Sequence, residues 1–276
     1  MDMVELFKNS FKYPLKDANK LLFLGAVFII GGLLTAILGI FNIALTFDIT
    51  SNYFLATRIA GIAMLIILFI ISAIISGYGI SIIRKTLFHP EKVPSIELSK
   101  NLLSGLKLAI LSLVYYLIPI AISLVISILN GTFNFIIKTM YFSIIQIFVN
   151  PNIIYPCVNV SGSGMSVIFI VGFFLSLVST LLLIVATSRL AETNSLKEAL
   201  KIDEVFKDIS KIGVSNYIVW AVLYFIIGIF ISILSTVIMI IPLIGIIVGY
   251  LIIMPYVTMF SARAIGLIYD ESKSIL

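Results

Sequence analysis

The sequence predicts an all-α polytopic membrane protein. Six transmembrane helices form three hairpins, with both termini in the cytoplasm and amphipathic entry helices on that face. Three observations carry this. The 276 residues are 61% hydrophobic and only 11% charged, whereas soluble domains carry about a quarter charged residues. The apolar residues lie in runs long enough to cross a bilayer. The basic residues fall in alternate connecting segments, as the positive-inside rule requires.

A helix needs about 20 apolar residues to span roughly 30 Å of hydrocarbon. The runs that qualify are 21–46, 59–83, 106–130, 165–188, 215–241 and 243–268. The last two form one almost unbroken stretch, which at about 1.5 Å per residue is too long for a single crossing. Pro242-Leu243-Ile244-Gly245 is the place to fold back, because proline lacks the amide and glycine relaxes the turn. The first run is too long for a signal-peptide core and reads as an uncleaved span.

Charge orients the spans. Lys8, Lys12, Lys16 and Lys20 precede the first. Arg84, Lys85, Lys92, Lys100 and Lys107 join the second to the third. Arg189, Lys197, Lys201, Lys207 and Lys211 join the fourth to the fifth, and Arg263 and Lys273 follow the sixth. Only Arg58 and Lys138 fall on the other side. The expected location is the cell membrane, with the N-terminus inside. The net charge of +5 therefore points to lipid headgroups and not to nucleic acid.

Residues 135–149 are apolar but short. They read as an interfacial helix on the outer face, with a re-entrant segment as the rival; a seventh span would break the charge parity. In the same outer loop Asn159-Val160-Ser161 is a glycosylation sequon, and Asn159 is the expected acceptor. Asn130-Gly131-Thr132 is a second sequon, close to the membrane.

A short motif recurs before each odd-numbered span. It reads Glu5-Leu6-Phe7-Lys8-Asn9, Glu97-Leu98-Ser99-Lys100-Asn101 and Glu204-Val205-Phe206-Lys207-Asp208. Each following hairpin ends in an arginine, so Arg84, Arg189 and Arg263 are candidate cytoplasmic anchors. Three parallel repeats, 1–90, 91–195 and 196–276, would make up a single membrane domain. The third entry helix carries a capping box, Ser195-Leu196-Lys197-Glu198. An apolar stripe of Ala199, Ile202, Val205, Phe206, Ile209 and Ile212 follows, opposite a charged face that includes Asp208. Asp203 and Lys207 are placed for an i,i+4 ion pair.

Helices in lipid associate through small residues. Ser72/Ser76 and Gly245/Gly249 are candidate packing pairs, with Ser123/Ser127, Gly172/Ser176 and Gly228/Ser232 beside them. Pro119 and Pro255 should kink their helices.

The predicted spans contain no Asp or Glu, which argues against ion-coupled transport. His89 and Cys157 are the single histidine and cysteine. They fall on opposite sides, so they can form neither a catalytic pair nor a metal site. No nucleophile elbow or phosphate-binding glycine motif occurs. The expected site inventory is therefore empty of catalytic, metal and cofactor residues.

Gly77-Tyr78-Gly79, Arg84, Pro94, Gly105-Leu106-Lys107, Tyr115 and Pro119 resemble the family called domain of unknown function 4013, integral membrane proteins found largely in archaea. Pro255, Arg263, Gly266 and Tyr269 resemble its closing helix. Two positions depart from the family pattern. Pro94-Ser95-Ile96-Glu97 replaces an aromatic-acidic pair after the proline, and Ser104 replaces an acid before the glycine. The resemblance implies membrane location and assigns no activity. The expected function is that of a non-enzymatic scaffold or accessory subunit, in contact with membrane lipids and with another membrane protein or a second copy. A permease or lipid-handling protein is the alternative, and a membrane-embedded enzyme a second one.

Overall fold

The computed structural model describes residues 2–46, 54–89, 92–134, 136–137, 162–241 and 244–273, which hold helices and no strand. The helices are α1 (Met3–Lys12), α2 (Ala18–Thr46), α3 (Phe54–Phe88), α4 (Leu98–Leu129), α5 (Gly162–Thr193), α6 (Leu196–Ala199), α7 (Ile202–Ile212), α8 (Val214–Met239), α9 (Ile244–Val248) and α10 (Met254–Asp270). A π-helical turn, Gly249–Ile253, joins α9 to α10. Six stretches are long and apolar enough to cross a membrane: Ala18–Ile40, Ile59–Phe88, Leu98–Leu129, Ser166–Thr193, Val214–Met239 and Ile244–Asp270. Residues 138–161 lie outside the described residues, with Cys157, Asn159 and most of the expected interfacial segment 135–149. So do Pro242 and Leu243 of the expected fold-back.

Two compact units can be told apart. Unit 1 comprises Met1–Leu33, Phe69–Ser112 and Leu181–Leu276, and unit 2 comprises Leu34–Leu68 and Leu113–Thr180. Unit 1 contains the packed core, and α10 is its centre. Met259, Phe260, Ala262, Ala264, Leu267, Ile268 and Tyr269 are all buried. Their positions run right round the helix, so neighbours enclose α10 on every side. The segments that carry most of the basic residues, including α1, the end of α3, the start of α4 and the end of α5, belong to this unit, while Arg58 and Lys138 fall in unit 2.

The three entry segments fold differently. α1 is capped by Asp2, whose carboxylate accepts from the Val4 amide at 3.2 Å. It carries Glu5 in its first turn and Lys12 in its last, which suits the helix dipole. A 3-10 turn, Tyr13–Lys16, then separates it from α2. The second segment forms no helix of its own: α4 runs unbroken from Leu98. The third is interrupted. Ser195 accepts from the Glu198 amide as the capping box requires, but the Glu198 carboxylate turns to Lys201 at 2.7 Å. The Ser195 amide donates to Thr193 Oγ1 instead. The reciprocal half of the box is thus lost, and α6 stops after one turn. α7 ends at Gly213, whose φ of +87° suits glycine alone and swings the chain into α8.

The tightest helix seam lies between α3 and α4. A side chain at Gly77 would collide with the Asn101 carbonyl, and one at Gly105 with the Ala73 carbonyl. The two backbones therefore touch. This seam runs one residue over from Ser72 and Ser76. Ser72 is exposed and Ser76 half-buried, since one residue turns a helix face by about 100°. Gly245 faces the Ile238 carbonyl and Gly249 the Met239 side chain, so both sit where the chain folds back from α8.

Pro255 shapes α10. Without an amide it cannot donate to the Leu251 carbonyl, and the π turn lies immediately before it, a usual response to a broken ladder. The freed Leu251 carbonyl lies against Gly25 of α2, where any side chain would strike it.

Candidate functional site

The densest polar constellation lies in unit 1 where α5, α7 and α10 end. Arg189 is its hub. One guanidinium nitrogen donates to Asp208 at 2.7 Å and the other to Glu204 at 3.3 Å. Its Nε donates to the Glu198 carbonyl at 3.1 Å. Tyr269 of α10 donates to Glu192 at 2.8 Å and stands 3.1 Å from Asp208. Lys273 pairs with Glu192 at 2.8 Å, and Lys207 with Glu204 at 2.9 Å. Each carboxylate here has a cation, so the cluster is close to neutral.

Sequence periodicity missed one member. Asp208 was expected on the charged face of α7, but it is buried, while Ile202 and Phe206 of the apolar stripe are 42% and 53% exposed. The cause is Arg189: a buried guanidinium requires a buried carboxylate, and α7 is rotated to supply it. Lys207 likewise reaches Glu204 one turn back, and not the expected Asp203. A hydrogen bond from Lys207 holds the Glu204 carboxyl below its usual range, and one from Lys201 does the same for Glu198. These are ion-paired groups and not a poised acid and base.

The other two arginines serve the same end of the fold. Arg84 donates to the Ala191 carbonyl at 2.7 Å, closing the end of α3 onto the end of α5. Lys107 reaches the Asn194 carbonyl at 2.8 Å. That residue holds a left-handed φ of +57°, which asparagine tolerates. Arg263 is buried with its guanidinium 5.1 Å from the centre of the Tyr13 ring. Burial pushes the Tyr13 hydroxyl up to about 12, opposed by the charge of Arg263.

Two hollows lie against the apolar helices. In unit 1, α8, α10 and Phe11 of α1 line an apolar groove of about 490 Å³. In unit 2, a smaller cavity of about 270 Å³ lies beside Pro119, with Tyr116, Ser123 and Ser176 on its wall. Tyr116 and Thr180 share a hydrogen bond of 2.7 Å. Among the described residues no three His, Cys, Asp or Glu side chains converge as a metal site would need. His89 follows directly after α3, its amide donating to the Lys85 carbonyl at 2.8 Å.

Comparison with curated proteins and with solved structures gives no match. The family model described as Protein of unknown function (DUF4013) matches residues 59–240. That span holds the Gly77/Gly105 seam, the Arg84 clamp and Arg189 with its carboxylates, while Tyr269 and Lys273 lie beyond it. Matched over about two thirds of its length, the chain belongs to this family of proteins of unknown function.

Proposed function

We propose that the protein is a non-enzymatic scaffold or accessory subunit of the cell membrane, with both termini in the cytoplasm. One observation carries this reading. α7 turns Ile202 and Phe206 outward while Arg189, Tyr269 and the buried Asp208 hold the helix rigidly from behind. Two apolar anchors at i and i+4 on a fixed helix fit the apolar groove of a partner protein. The surrounding carboxylates are committed to ion pairs, which leaves the cluster a supporting role.

Mild-detergent purification followed by mass spectrometry tests it. The wild type should carry a stable partner, and Ile202→Ser/Phe206→Ser should lose it without loss of fold. Recovery of the wild type alone in repeated purifications would overturn the reading. Orientation is tested on Cys157, the single cysteine: an impermeant maleimide should label it on intact cells. The cavity beside Pro119, whose mainly apolar wall includes the hydroxyls of Tyr116, Ser123 and Ser176, favours a second reading, a permease. Flux across vesicles that is abolished by Ser123→Leu would support it.

A further inference from the structure

We propose that the groove of unit 1 seats an acyl chain of an anionic phospholipid whose headgroup is held by Lys8 and Lys12 of α1. This rests on the six membrane spans and is independent of the protein partner above. The groove wall comprises Phe11, Ile227, Phe230, Leu234, Ile253 and Tyr256, with others of the same kind. Phe230 and Leu234 are 70% and 51% exposed, so the wall opens outward. In a spanning helix pair the neighbour on that side is lipid.

α1 closes one end of the groove and is fixed there. Phe11 packs on Phe260 with ring centres 4.5 Å apart, and the Tyr256 hydroxyl donates to the Phe11 carbonyl at 2.7 Å. Leu6 and Phe7 are buried, so the helix lies flat on α10 and keeps its polar edge outward. That edge carries Lys8 and Lys12, both exposed. They line a polar hollow of about 390 Å³ together with Asn9, Asp2 and Glu5. Asp2 is committed to capping Val4. The two carboxylates sit at the start of α1, Asp2 as N-cap and Glu5 in its first turn, whereas Lys8 and Lys12 lie further along, Lys12 in the last turn beside Phe11. The groove end of the helix is therefore its positive end, which suits a negative headgroup. Val4 and Leu15, 72% and 67% exposed, flank the lysines, the pattern of a helix set in the bilayer interface with snorkelling cations.

The test is native mass spectrometry of the full-length protein with phosphatidylglycerol or phosphatidylcholine of identical acyl chains. The wild type should retain phosphatidylglycerol in preference. Lys8→Gln/Lys12→Gln should weaken that preference by roughly fivefold per lysine removed. Leu234→Trp, which fills the groove from an exposed position, should reduce retention of both lipids and leave their ratio unchanged. Thermal midpoints within a few degrees of wild type show that the variants fold. Equal retention of the two lipids by the wild type overturns the proposal. So does an undiminished preference in the double lysine variant, undiminished retention in Leu234→Trp, or a second copy of the chain in place of lipid. Failure to find a protein partner would leave these readings untouched.

Discussion

Unit 1 and unit 2 are built from the same kind of apolar helix, yet they are held together differently. Unit 1 buries a continuous set of large side chains, among them Trp220, Tyr78, Phe260 and Leu111. Among its described residues unit 2 buries few large side chains, and its buried positions include the small polar Ser127, Thr132 and Ser179. Its isoleucines and leucines point outward, as at Ile66, Leu117 and Ile118. Its hydroxyls bond back to helix carbonyls, Ser127 to Leu124 at 2.7 Å and Thr180 to Ser176 at 2.7 Å. In lipid an exposed leucine costs nothing, and helices meet through small and polar contacts. Where helix ends carry charge toward water, the hydrophobic effect returns and builds a soluble-type core. Among the described residues, unit 1 has that core and unit 2 does not.

Variants can break or sharpen this contrast. Gly77→Ala places a methyl on the Asn101 backbone carbonyl, which cannot rotate away. It should cost about 3 kcal/mol or more and appear as a lowered thermal midpoint in detergent. Arg189→Met strands a buried Asp208, and breaking such a pair costs about 3–5 kcal/mol. A double cycle with Asp208→Leu should recover much of that loss. Tyr269→Phe removes the single hydroxyl proton that Glu192 accepts beside Asp208, a charge-assisted bond worth about 1.5–3 kcal/mol. In unit 2, Tyr116→Phe loses only its bond to Thr180 and should cost about 1 kcal/mol.

Among the described residues, the carboxylates on which acid should act belong to unit 1. Ion pairing holds the Glu198 and Glu204 carboxyls below their usual range, about 4.3 for a free glutamate. Groups so lowered contribute stability above the unfolded pKa and lose it as pH falls through the folded value. Amide exchange in α7 should therefore rise below about pH 4, while the hydroxyl bonds of unit 2 stay unchanged. The smallest effect belongs to Gly172→Ala. Its new methyl would meet only Ser123 Oγ at 3.4 Å, and alanine favours helix by up to about 1 kcal/mol. A stability change within about 1 kcal/mol of zero fits the looser packing of unit 2.

Much of the fold was legible in the sequence because span length is set by bilayer thickness. The six apolar stretches stand where the runs predicted, and the basic segments assigned to one face by charge gather in one unit. What was hidden depended on rotation about helix axes. Ser72/Ser76 and Ala73/Gly77 carry the same spacing signal one residue apart, and only the partner backbone of α4 chooses between them. Asp208 is polar by composition, yet Arg189, 19 residues away, draws it inward. The π turn at Gly249–Ile253 follows from Pro255, but the sequence showed only that a kink was due. The exposed Phe206 had no signal at all, because an apolar residue on an amphipathic stripe is expected to face the core.

The enclosure of α10 also governs the order of assembly. Phe11 and Tyr256, which bond directly, are 245 residues apart. At roughly 5–20 residues per second of synthesis, α1 leaves the ribosome on the order of ten to fifty seconds before its partner exists. During that wait Leu6 and Phe7 have no α10 to cover them. An amphipathic helix resolves this by lying in the membrane interface, which shelters its apolar face without committing it. α1 thus waits on the bilayer for α10 and docks late, and the core of unit 1 closes only when α10 is in place.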